Sequence, residues 1–149
     1  MTDHERYMRM ALAEAMLAAD EGEVPVGAVI VRGDEVLALA HNRREQTNDP
    51  TAHAEMLAIR EAAAKLGDRR LTGCTLYVTL EPCPMCAGAL VMAKLDACYF
   101  GVGDERQGCV ESVYALAADP AFYHRVQCAG GLLEPECKAL MQTFFETRR

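Results

Sequence analysis

Apolar residues recur along this chain with two different periods, and the places where the period changes mark its elements. Over residues 5 to 20, Met8, Leu12, Ala15 and Met16 fall on one stripe at helical spacing while Glu5, Arg9 and Asp20 lie elsewhere, which predicts an amphipathic helix. Two β-rich runs follow, VPVGAVIV and EVLALAH, separated only by Arg32, Gly33 and Asp34, which predicts a hairpin. After the polar stretch NRREQTNDPT comes HAEMLAIREAAAKLG, a strong helix former closed by Lys65 and Gly67. CTLYVTL predicts a strand. CPMCAGALVMAKL predicts a helix with Pro82 in its first turn, where a missing N–H costs nothing, and DACYFGV predicts another short strand. Near the end, Cys137, Leu140, Met141, Phe144 and Phe145 repeat at i, i+3, i+4, i+7 and i+8 behind Pro135, which predicts a buried helical face. Strands alternating with helices predict an α/β layered sheet that begins with an antiparallel hairpin and continues with parallel crossovers.

Length and composition narrow the class. With 149 residues, 51% apolar and 25% charged, no repeat and no low-complexity tract, the chain reads as one ordered domain spanning 1–149. Its first residues carry acids and lack a cationic start, so no secretory signal is expected, and no apolar run approaches the roughly 20 residues of a membrane span. A cytoplasmic location is expected. Seven cysteines is an odd count, and in a reducing compartment thiols are free, metal-bound or catalytic rather than bridged. The net charge of -7 excludes a long-range basic field for nucleic acid. Any RNA would be held by local groups such as Arg43, Arg44, Arg69, Arg70, Lys94, Arg106, Arg148 or Arg149, each of which alone reads as a solvated surface charge.

Against that background LEPCPMC, residues 80 to 86, raises a question of chemistry. Cys83 and Cys86 fall at the start of one predicted helix, where unpaired N–H groups and the positive dipole end favour thiolates. His53 and Glu55 fall at the start of another, on what the alternation makes the same edge of the sheet. One imidazole and two thiolates give the three protein ligands of a catalytic zinc site with one position open. Glu55, two residues after His53, is offset from the ion and placed as a proton carrier. CPMC alone also matches a redox dithiol, and a structural zinc site would need a fourth ligand such as Cys74, Cys98, Cys109 or His41. The two halves together, His53-Ala-Glu55 and Pro82-Cys83-x-x-Cys86, form the H-x-E and P-C-x-x-C signature of zinc nucleobase deaminases.

With these motifs, and with EVPVGAVIV, NDPTAHAEMLAIREA, LYVTLEPCPMCAGAL, FGVGDERQG and HRVQCAGGLLEPECKALMQTFF, the chain resembles the bacterial tRNA-specific adenosine deaminases nearly end to end. The resemblance implies a three-layer α/β/α, cytidine deaminase-like fold with a mixed five-stranded sheet, and conversion of a wobble adenosine to inosine in a tRNA anticodon loop. It implies one zinc per subunit on His53, Cys83 and Cys86, with Glu55 shuttling the proton during hydrolytic attack at C6. It further implies that Asn42 hydrogen-bonds the flipped base, Val26 and Leu80 flank it, and Asp104 approaches a neighbouring sugar. Backbone N–H groups of Ala54 and Cys83 are expected near the reacting water or leaving group, as helix starts would place them. A homodimer with RNA touching both subunits is expected by the same likeness. The alternative within the superfamily is a small-molecule deaminase acting on guanine, cytosine or cytidine.

Overall fold

In the computed structural model, which describes residues 1 to 148, the chain runs α1 (Asp3–Asp20), β1 (Gly27–Arg32), β2 (Glu35–His41), the single turn α2 (Arg44–Thr47), α3 (Ala54–Leu66) and β3 (Cys74–Leu80). It continues through α4 (Pro84–Met92), β4 (Ala97–Val102), a 3₁₀ turn at Leu116–Ala118, β5 (Gln127–Ala129) and α5 (Glu134–Glu146). The hairpin and its tight turn at Gly33, whose φ is 64°, lie where the hydrophobic pattern put them. The strands form one sheet in the order β2-β1-β3-β4-β5. Parallel pairing starts only after β3: β1 is antiparallel to both β2 and β3, whereas β3/β4 and β4/β5 are parallel.

Period-two alternation on the central strands splits the interior into two layers. Ala28, Ile30, Leu76, Val78, Cys98 and Phe100 face α3 and α4, where they meet Ala54, Ala58, Ala62, Ala87 and Leu90. Val29, Val31 and Tyr77 face the other way, onto Tyr7, Met8 and Ala11 of α1 and Cys137 of α5. This is the three-layer α/β/α arrangement with a mixed five-stranded sheet. No helix among the described residues is long and apolar enough to cross a membrane.

Two predicted helical faces are corrected. The buried stripe of α1 is Tyr7, Met8, Ala11, Ala15 and Ala18, so Met8 and Ala15 of the expected stripe are buried, whereas Leu12 is only partly buried and Met16 is exposed. The reason lies in β1: a side chain on Gly27 would drive into the backbone of Ala11 and Ala15, so the helix seats its alanine face against a residue with no Cβ. On α5 only Cys137 and Phe144 of the five expected residues are buried, and Phe145 is exposed.

The direction of the strands fixes where chemistry can occur. β2, β3 and β4 all end on the same sheet edge, as the pairing of Gly27 with His41, Ala28 with Val78 and Leu80 with Val102 shows. The segments leaving those ends carry Asn42, His53, Cys83 and Asp104. Carboxyl ends of strands are where open α/β sheets bind ligands.

Candidate active site

The two helix starts that meet at this edge are built alike. His53 is the N-cap of α3 and Cys83 the N-cap of α4, both in extended conformation, so each side chain stands at the positive end of a helix. Glu55 lies in the first turn of α3 and Cys86 in the first turn of α4. Pro84, not Pro82, occupies the proline-tolerant first turn. Pro82 precedes the cap, and its carbonyl accepts the Cys109 N–H at 2.8 Å. Cys109 is buried.

His53 Nδ1 lies 3.7 Å from Cys83 Sγ and 3.6 Å from Cys86 Sγ. Zinc–sulfur bonds of about 2.3 Å and zinc–nitrogen bonds of about 2.0–2.1 Å at tetrahedral angles give an N···S edge of about 3.6 Å. Both N···S edges thus already match those of a zinc tetrahedron, and the three ligand atoms all lie within 4.8 Å of one another. Among the described residues no fourth His, Cys, Asp or Glu joins the group, so the structural-site alternative with Cys74, Cys98, Cys109 or His41 is not what the fold assembles. All seven thiols are free, and the CPMC pair faces an imidazole rather than closing a disulfide.

The ionisation of the donor set suits a cation. Cys83 is held down at about 4, first by its hydrogen bond with the Cys86 thiol and then, against the cost of burial, by His53. Cys86 is pushed far up by the same bond and by burial. His53 is raised, chiefly by its hydrogen bond to Cys83. A thiolate is therefore ready at neutral pH, and the positive charge of a metal is what would release the second proton.

Glu55 is 4% exposed, and burial pushes its carboxyl up to about 7. Its Oε1 is buried without a hydrogen-bond partner in the protein. An orphaned buried acceptor is costly unless a water or ligand completes it. A water beside the donor set would complete it, so this carboxylate and the three donors fit a zinc centre together.

These groups lie at the base of a cleft of about 760 Å³ whose lining includes Asn42, His53, Glu55, Cys83, Val26, Leu80 and Asp104. The expected site residues are thus brought to one place, with Cys86 and Ala54 buried behind the surface. The Ala54 N–H, expected to face the reacting water, donates instead to Asn42 Oδ1 at 2.8 Å. Asn42 Nδ2 donates to the Val24 carbonyl at 3.1 Å. The side chain therefore caps α3 and ties it to the loop between α1 and β1, leaving one amide proton for a ligand. Asp104 uses one carboxylate oxygen to accept from the N–H groups of Arg106 at 3.0 Å and Gln107 at 3.4 Å.

Other cleft residues carried no motif. Glu134, Lys138, Met141, Gln142 and Phe145 of α5 form one wall, and Arg44, Glu105, Arg106 and Gln107 add charge and polarity. The helical spacing predicts a core face for Phe145, and its exposure is explained by this wall. Two buried glutamates were also missed. Glu23 accepts the N–H groups of Glu45 at 3.2 Å and Gln46 at 2.9 Å, holding α2 and thereby Arg44. Glu81 accepts a similar set from the loop after β4. Burial alone would raise both carboxyls, yet the donated hydrogen bonds outweigh it and hold them below the usual carboxylate range.

The chain matches the MafB19-like deaminase family over residues 2–149. It is 47% identical over 149 residues to a tRNA-specific adenosine deaminase of Bacillus subtilis (strain 168), covering 100% of this chain and 92% of that protein. A second relative, the tRNA-specific adenosine deaminase of Aquifex aeolicus (strain VF5), is 46% identical over 145 residues, covering 97% and 95%. This chain belongs to the tRNA-specific adenosine deaminase family. A solved structure from studies of A-to-I editing by tRNA:A34 deaminases at the wobble position of transfer RNA superposes with a TM-score of 0.87. It is 43% identical, covering 91% of this chain and 98% of that one. The deaminase fold and the donor set at its carboxyl edge thus come from one scaffold.

Proposed function

We propose that this chain, as a single deaminase domain over 1–149, hydrolyses the wobble adenosine of a tRNA anticodon to inosine. The observation that carries the chemistry is the pair of N···S separations of 3.6 and 3.7 Å beside the unpartnered Glu55 Oε1. His53, Cys83 and Cys86 would hold one zinc. When bound, that ion supplies the acidity that makes a hydroxide available from water near neutral pH.

The protein's own part is proton management and positioning. Glu55, raised towards neutrality by burial, accepts a proton from water and returns one to N1 of the base as C6 is attacked and ammonia leaves. The free amide proton of Asn42 reaches the base, while Val26 and Leu80 give it an apolar slot. Leu80 is only partly buried, so a ligand has surface to cover. Splaying a base out of a single-stranded loop costs little stacking energy, which suits an anticodon. The cleft is larger than one base needs, and its cations Arg44, Arg106 and Lys138 stand beside the acids Asp104, Glu105 and Glu134. Affinity for phosphates is therefore local and modest, and the dependence on salt is shallow.

We also propose that two copies associate and both touch the RNA. Met92 at the end of α4 is 76% exposed and Tyr123 is 106% exposed, with Val113, Tyr114 and Phe122 also exposed. His124 Nε2 ties the end of their segment to the Leu95 carbonyl at 2.5 Å, three residues beyond Met92, and exposed apolar groups of this kind suit an interface between copies. Reducing cytoplasm is the setting that keeps the seven thiols free. The deciding assay compares inosine formation in an anticodon stem-loop with ammonia release from free guanine, cytosine and cytidine. Turnover of the stem-loop is expected. Turnover of free bases or nucleosides alone would assign the chain to small-molecule deamination.

A further inference from the structure

We infer that Glu81 is a positioning residue for substrate binding, fastening one wall of the cleft to the segment that bears the metal ligands. This rests on the RNA deaminase reading above. Glu81 sits between β3 and Cys83 and is 2% exposed, and its carboxylate is used entirely on the loop that follows β4. Oε1 accepts from the Asp104 N–H at 2.9 Å and from the Ser112 hydroxyl. Oε2 accepts from the N–H groups of Val110 at 3.2 Å, Glu111 at 2.8 Å and Ser112 at 2.8 Å. Residues 103 to 112 have neither helix nor strand of their own, so without Glu81 the N–H groups of Asp104, Val110, Glu111 and Ser112 would need water. A Cβ on Gly108 would overlap the carboxyl group of Glu81, so the loop wraps the acid too closely for any other residue.

The fastening bears on substrate because this loop supplies Asp104, Glu105, Arg106 and Gln107 to the cleft, facing a wall made by α5. The donor set is held separately, by the N-caps of α3 and α4. Loosening Glu81 therefore moves a binding wall and leaves the reacting groups in place. Binding is what should suffer.

Glu81→Gln makes this testable because the amide can lose only one side of the network. Turned so that its oxygen keeps the three N–H groups at the Oε2 position, glutamine presents NH₂ to the Asp104 N–H, while Ser112 Oγ rotates to accept. The Asp104 end alone is released. Steady-state kinetics on an anticodon stem-loop should show KM raised about tenfold or more, the size of one charge-assisted hydrogen bond, with kcat within about threefold of the parent. Zinc content should be unchanged. Gly108→Ala, which pushes the loop off an intact Glu81, should give the same KM-selective loss and serves if the first variant does not fold. Amide hydrogen exchange should report faster exchange at Asp104 in Glu81→Gln. Unchanged KM in both variants, or a loss confined to kcat, would overturn the assignment. Absence of inosine formation by the parent protein would instead strike the RNA reading, and hydrogen exchange would still decide whether Glu81 holds the loop.

Discussion

Replacing Glu55 by glutamine should stabilise the metal-free protein at alkaline pH while removing its catalysis, because one buried carboxyl is responsible for both. Burial raises Glu55 to about 7 from an ordinary 4.5. An acid whose value is higher folded than unfolded binds its proton more tightly in the folded state. Folded stability is therefore lost as pH rises from the unfolded value through the folded one. A difference of about 2.5 at 1.36 kcal/mol per pH unit amounts to about 3 kcal/mol of destabilisation once both states are ionised, above about pH 8. Near pH 5 the penalty is under about 1 kcal/mol, since the folded carboxyl is still protonated. Glutamine carries no such penalty. Urea unfolding of chelator-treated parent and Glu55→Gln proteins at pH 5 and pH 8 should show curves close together at the lower pH and the variant ahead by about 3 kcal/mol at the higher. Cys83, Cys86 and His53 titrate in both proteins and feel the Glu55 charge, so the comparison reports the carboxyl at position 55 together with its coupling to them. The zinc-loaded variant should lose about 10²–10⁴-fold in kcat on the stem-loop. Coincident stabilities at pH 8 would refute the desolvated carboxyl, and an undiminished rate would refute its role as proton carrier.

Other perturbations test the surrounding structure. Asn42→Ala strands the Ala54 N–H and removes one of the two donors to the Val24 carbonyl, which keeps the Val26 N–H at 2.8 Å, and should cost about 1–2 kcal/mol by thermal or urea unfolding, alongside a raised KM. Glu23 is held below the usual carboxylate range, so its contribution is present above about pH 4.5 and fades as pH falls through the lower folded value. The stability gap between the parent and Glu23→Leu should accordingly narrow below about pH 4 in acid unfolding. Gly27→Ala drives a methyl into the α1 backbone and should cost about 1–3 kcal/mol, with helix α1 the first region to lose hydrogen-exchange protection. Tyr123→Arg should reduce the mass measured by light scattering from two chains towards one without changing zinc content.

Legibility in the sequence followed the range of the interactions. His53, Glu55, Cys83 and Cys86 could be read because each pair lies at one helix start, where offset and cap position are fixed by a few neighbouring residues. The convergence of the two starts followed from strand direction, which the alternation of elements already implied. The buried stripe of α1 was misplaced because its choice of face depends on Gly27, in a strand it meets only in three dimensions. Glu23 and Glu81 resembled ordinary charges, since their N–H donors lie 22 to 31 residues further along and a backbone donor leaves no mark on composition. The α5 wall was hidden for a related reason. Met141 and Phe145 have helical spacing whether the face they form covers a core or lines a cleft.

The most direct test couples metal content to turnover. The protein is to be purified without chelator, its bound metal counted by elemental analysis, and inosine formation followed as the metal is withdrawn and returned. One zinc per chain, loss of inosine formation in step with its removal, and recovery on adding zinc are expected. Full activity after the metal has gone, or persistence of one zinc per chain in a His53→Ala, Cys83→Ala, Cys86→Ala variant, would contradict a catalytic ion held by that imidazole and those two sulfurs.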